Sequence, residues 1–99
     1  MEHAQYIVEQ LETAREERGI SIAELARRSD IPVKRLGYIF NGDRNLRADE
    51  FVRLSIVLGI PVTAFVPVAM LAKYEEVGRR TLEDFGSGVS FANVFSDEA

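Results

Sequence analysis

The chain has 99 residues, 46% of them apolar, no cysteine and a formal net charge of -4. That length makes one small domain with room for a short appendage and a core large enough to hold it together. The lack of cysteine excludes disulfide frameworks, thiolate metal sites and cysteine nucleophiles, and agrees with a reducing cytoplasm.

Residues 4–18 read as an amphipathic helix. Ile7, Leu11 and Ala14 recur at i, i+4 and i+7 among Glu, Gln and Arg, and Gly19 stops the run. Ser21-Ile22-Ala23-Glu24 has capping-box spacing, with the serine hydroxyl accepting from the Glu24 amide and the Glu24 carboxylate from the Ser21 amide. The short helix it opens, 22–29, turns Leu25 and Ala26 inward and stops near Ser29-Asp30, two turn-forming residues. Pro32 suits the first turn of the next helix, 32–40, which sends Leu36 and Ile39 inward and ends at Asn41-Gly42. After a polar loop to Leu46, residues 49–58 form a fourth helix with Phe51, Leu54 and Leu58 at i, i+3 and i+7. Pro61 opens a short, apolar fifth helix containing Val62, Phe65 and Val66. Pro67 restarts the pattern, and Met70, Tyr74 and Val77 predict one further helix ending at Gly78. The apolar-rich run 56–72 is broken by Gly59, Pro61, Thr63 and Pro67, so no membrane span is expected. The first residues lack the basic-then-apolar pattern of a secretory leader. The expected fold is all-α, divided into a main helical domain (1–66), a C-terminal helix (67–82) and an acidic tail (83–99).

The acidic total conceals an uneven distribution. From Arg27 to Arg53 lie seven basic residues (Arg27, Arg28, Lys34, Arg35, Arg44, Arg47, Arg53) against four acidic ones (Asp30, Asp43, Asp49, Glu50). Residues 75–99 hold two basic and six acidic residues, and residues 1–14 hold three acids without Lys or Arg. A polyanion responds to the local field rather than to the sum, although solvated helix faces would give the same counts.

The decisive unit is the pair of short helices 22–29 and 32–40, joined by a tight turn. Close crossing demands a small side chain, and Ala26 supplies it. Docking of the second helix through Leu25, Ile31, Leu36 and Ile39 leaves Val33, Lys34, Gly37 and Tyr38 facing outward, as a helix entering a B-DNA major groove requires. From Ile7 to Val66 the chain resembles the phage repressor and Cro-type (XRE) helix-turn-helix regulators. The matching residues are Arg15-Glu16-Glu17-Arg18-Gly19-Ile20-Ser21, Glu24-Leu25-Ala26, Ile31, Leu36, Ile39, Asn41-Gly42 and Leu54 through Leu58-Gly59-Ile60. The resemblance implies five helices around one core. It also implies base reading by Val33, Lys34, Gly37 and Tyr38, with Asn41, Arg44 and Asn45 in a phosphate-gripping loop and Arg35 directed toward the DNA backbone. Three positions depart from the family pattern: Ile22 replaces a usual glutamine, Asp30 a usual glycine, and Gly37 sits in mid-helix.

Enzyme chemistry has no supporting constellation. His3 is the single histidine, placed in a terminus expected to fray, Ser21 is a helix cap without a histidine partner, and Glu16-Glu17 and Glu75-Glu76 point apart on solvated faces. No catalytic residue, metal site or cofactor is expected. The reading is a cytoplasmic, nucleoid-associated, non-enzymatic repressor of phage or mobile-element type that binds double-stranded DNA as a homodimer. Its expected dimer seam is Met70, Tyr74 and Val77, a stripe that would serve equally as core. The alternatives are an antitoxin or restriction-modification controller with a protein partner on the tail, and an interaction module that has lost DNA binding. In the tail, Val89, Phe91, Val94 and Phe95 follow Gly86 and Gly88. They are expected either to dock on the Met70–Val77 helix or to compete with DNA for the basic face.

Overall fold

The computed structural model describes residues 2–85, in two compact units divided between Val66 and Pro67. The expected docking of residues 89–95 lies outside the described residues. The first unit is built from α1 (His3–Glu17), α2 (Ile22–Ser29), α3 (Val33–Asn41), α4 (Ala48–Leu58) and a single 3-10 turn, η1 (Val62–Phe65). The architecture is all-helical, and no described residue lies in a strand. No described helix is long and apolar enough to cross a membrane.

The periodic apolar positions meet in one core. Leu11, Ala14, Leu25, Ala26, Ile31, Leu36, Leu54, Leu58 and Phe65 are buried together, with Ile7, Ile22 and Phe51 packed against them. Phe51 meets Phe65 edge-on at 4.8 Å between ring centroids, the geometry that the ring quadrupoles favour. Each fully buried Leu or Phe contributes roughly 1.5–3 kcal/mol by removal from water. α2 packs on both α3 and α4, and α1 closes over α3, α4 and η1. Ile22 spends its side chain on this core.

All four helices end alike. The residue after each last turn enters the left-handed region, and the next amide reaches back five residues, as Ile31 does to the Ala26 carbonyl at 3.0 Å. Three of these positions are glycine; the fourth is Asp30, at φ 56° and ψ 47°. Aspartate tolerates this region better than most residues, so the tight turn between α2 and α3 forms without glycine.

The structure corrects three local expectations. Ser21 Oγ accepts from the Glu24 amide at 3.0 Å, but the Glu24 carboxylate is taken by Arg27 and Arg28, so only half of the capping box forms. His3 is tied down: its Nε2–H donates to the Phe65 carbonyl at 2.8 Å, joining the start of α1 to η1. The C-terminal helix, α5 (Val68–Phe85), does not stop at Gly78. Arg79 pairs with Glu76 and Glu83, and Arg80 with Glu76, at i, i+3 and i, i+4 spacing. Pairs at this spacing offset the cost of a mid-helix glycine.

Candidate nucleic-acid interface

α3 owes its two faces to helical geometry. At about 100° per residue, Val33, Gly37, Asn41, Lys34 and Tyr38 fall within one arc, and Leu36 and Ile39 fall opposite. Burial agrees: Leu36 and Ile39 are 0% and 1% exposed, whereas Val33 and Tyr38 are 52% and 40% exposed. Lys34 and Asn41 are exposed, and Gly37 is half-exposed, with nothing within 4 Å of where a Cβ would stand. An open, shallow centre flanked by a cation, an aromatic ring and an amide results.

The loop after α3 joins this face. Its turn is set by Gly42, at φ 86°, and by the Asp43 amide bonding back to the Tyr38 carbonyl at 2.8 Å. Arg44 thereby lies over the Tyr38 ring, 5.4 Å from guanidinium carbon to centroid, and donates to the Asp43 carbonyl at 2.9 Å. Asn45 is exposed beside it. The structure therefore brings Val33, Lys34, Gly37, Tyr38 and Asn41 onto one exposed arc joined by Arg44, with Asn45 next in the loop and its carbonyl held by Arg35. The proximity of Arg44 to Tyr38 was not legible from spacing.

Arg35 stands apart from this group. Its position on the helical wheel falls on the side of Ile39, toward α4, and its guanidinium makes a fork on the Glu50 carboxylate: Nε to Oε2 at 2.5 Å and Nη2 to Oε1 at 2.9 Å. Nη2 also donates to the Asn45 carbonyl at 3.1 Å. Arg35, expected to be directed toward the DNA backbone, makes this internal ion pair in the structure. Glu50, 2% exposed, is the charged residue buried in the described core. It also accepts from the Arg47 amide at 3.0 Å. The Arg35 guanidinium holds the Glu50 carboxyl below its ordinary range, against the opposing effect of burial. The sequence reading missed Glu50. The available signal was an acid three residues after a helix start, beside apolar Phe51.

Other cations of the basic segment are also engaged. Arg27 and Arg28 flank Glu24 and hold its carboxyl down at about 2. Arg47 and Arg53 do the same to Asp49, also about 2. Arg53 Nε donates to the Ser29 carbonyl at 2.8 Å, placing a cation at the negative end of α2. Lys34 and Arg44 are left as the basic residues of 27–53 without a carboxylate partner among the described residues. No cluster of three His, Asp or Glu side chains able to hold a metal occurs among the described residues.

Comparison with known proteins gives a family model described as helix-turn-helix (HTH_3), which matches residues 11–65. No curated protein and no solved structure matches the chain.

Proposed function

The chain belongs to the XRE-type helix-turn-helix family of DNA-binding transcriptional regulators, and from that premise we propose that it is a sequence-specific repressor, of phage or mobile-element type, that binds an inverted-repeat operator as a homodimer. The observation that carries this reading is the exposed face of α3, with Val33, Lys34, Gly37 and Tyr38 continuous with a loop whose Arg44 stacks on Tyr38. α3 is a short helix, and one such helix reads too few base pairs for useful discrimination, so two are needed. In the proposed complex Lys34 donates to guanine O6 and N7, Val33 touches a thymine methyl, and Gly37 lets the backbone approach. Arg44, Asn41 and Asn45 hold phosphate. α5 supplies the dimer contact through Met70, Tyr74 and Val77, which share one side of the helix, with Lys73, Glu76, Arg79 and Arg80 outside that stripe. Selection of duplexes from a randomised library, followed by light scattering of the complex, tests the reading. Two protomers on an inverted repeat with half-sites roughly 34 Å apart support it; a strict monomer, free and bound, overturns the dimer.

A second reading, a protein-interaction module of the same fold, draws on the pairing of Arg27, Arg28, Arg35, Arg47 and Arg53 with carboxylates, which lowers the field available to a polyanion. The two separate on salt dependence, because phosphate binding releases counterions and weakens steeply as salt rises.

A further inference from the structure

The basic residue closest in sequence to the recognition surface that does not join it, Arg35, is engaged by a carboxylate with a third role. Glu50 holds three chain segments at once: the guanidinium of Arg35 on α3 at 2.5 and 2.9 Å, the backbone amide of Arg47 at the end of the loop at 3.0 Å, and its own helix α4. The same guanidinium grips the Asn45 carbonyl at 3.1 Å, in the middle of that loop. Arg44, over the Tyr38 ring, directly precedes the first of these anchors and follows the Asp43 amide bonded to the Tyr38 carbonyl, so it is held from both sides.

We propose that Glu50 is a positioning residue for DNA binding, a buried latch that fixes the 43–47 loop against α3 so that Lys34 and Arg44 meet the duplex in one register. This rests on the DNA-binding reading above. A buried ion pair is poorly explained as a source of stability. Taking the Glu50 charge out of water is expensive, with Arg35 only partly exposed beside it, and replacement of such a pair by apolar residues of similar volume is often neutral or stabilising. What the pair supplies is geometry, since a forked guanidinium–carboxylate contact is directional and couples two elements that no apolar contact would hold at a fixed angle. Glu50 itself is 2% exposed, so it acts through the groups it holds.

The test uses the full chain, a duplex selected by the wild-type protein from a randomised library, and an unselected duplex as control. Glu50→Gln keeps the acceptor for the Arg47 amide but loses the ion pair. The double variant Arg35→Met/Glu50→Met replaces the pair by apolar chains. The double variant is expected to melt at or above the wild-type temperature while binding the selected duplex roughly tenfold or more weakly, the loss expected when one base contact is no longer presented. Glu50→Gln is expected to lose discrimination between the two duplexes, because the released Arg35 cation binds phosphate without reading sequence. Hydrogen exchange of the free protein supplies a readout that needs no DNA. The Arg47 amide, which bonds the Glu50 carboxylate, should exchange faster in the double variant while those of Leu25 and Leu54 stay protected. Wild-type affinity and discrimination in a folded double variant would overturn the positioning role, as would unchanged exchange of the Arg47 amide in that variant. If the wild-type chain selects no duplex at all, the DNA-binding reading fails and the positioning role with it, whereas the exchange result still reports whether the latch holds the loop.

Discussion

Lys34 and Arg44 are both exposed cations, yet they stand on different supports. Lys34 projects from a rigid helix, whereas Arg44 lies on a loop and is steadied by the Tyr38 ring. Lys34→Ala is therefore expected to lower affinity for the selected duplex by about 1–3 kcal/mol and to relax preference at one base pair per half-site. Arg44→Ala should weaken all duplexes alike and reduce the salt slope by about one. Binding of both variants across a randomised library checks this, and identical profiles would refute the division of labour. A third residue, Ser29, matters for stability alone. Ser29 is 1% exposed and its Oγ has no hydrogen-bond partner among the described residues. A buried hydroxyl without a partner costs on the order of 1–3 kcal/mol. Ser29→Ala is thus expected to raise the urea midpoint, although its carbonyl keeps the bond from Arg53.

At the scale of the element, α3 combines a weak helix with a specialised surface. Gly37 has no conformational need for glycine: it lies inside the helix, and a Cβ there would meet nothing within 4 Å. Gly37→Ala should therefore stabilise the free protein by up to about 1 kcal/mol. If the backbone approaches DNA at this point, the same methyl group weakens operator binding. The expected result is a higher melting temperature with lower affinity, read by thermal denaturation and titration of the selected duplex. A gain in both would show that Gly37 has no part in the interface. The α2–α3 turn differs from this case. Asp30 occupies the left-handed region at φ 56°, so the residue there answers to backbone geometry rather than to a ligand.

For the whole molecule, charge pairing sets the response to acid. Glu24 and Asp49 are held at about 2, below ordinary values of 4.5 and 3.8, by Arg27 and Arg28 and by Arg47 and Arg53 respectively. A carboxyl depressed by folding contributes stability that is present above its unfolded pKa and lost as pH falls through the folded value. Stability should therefore decline between about pH 4.5 and pH 2, with Glu50 adding in the same direction. Glu24 and Asp49 are exposed enough for salt to screen their pairs, so added salt should shrink their share of the decline. Melting curves from pH 7 to low pH at two salt concentrations measure it, and a flat profile would contradict the pairing.

The sequence by itself determined the four α-helices of the first unit to within a residue at each end, and the inward positions Leu11, Leu25, Leu36 and Leu54, while the expected fifth helix is a 3-10 turn. It also picked out the outward arc of α3. These features are local: apolar periodicity selects a face, and glycine, proline or aspartate at a fixed offset ends a turn, so neighbours within a few residues suffice. Gly78 marks where this logic failed, because a local breaker was outweighed by ion pairs one turn away. Only the tertiary structure decided which partner each polar side chain takes. Glu24 chose Arg27 and Arg28 over its own cap, and His3 reached Phe65 across 62 positions. Arg35 met Glu50, 15 residues on, and Arg44 settled on Tyr38. A charged side chain several bonds long can satisfy itself in many directions, and spacing along the chain says which side it leaves from, not what it meets there. That choice is made when α4 packs beside α3 and brings a buried carboxylate within reach of one guanidinium and not another.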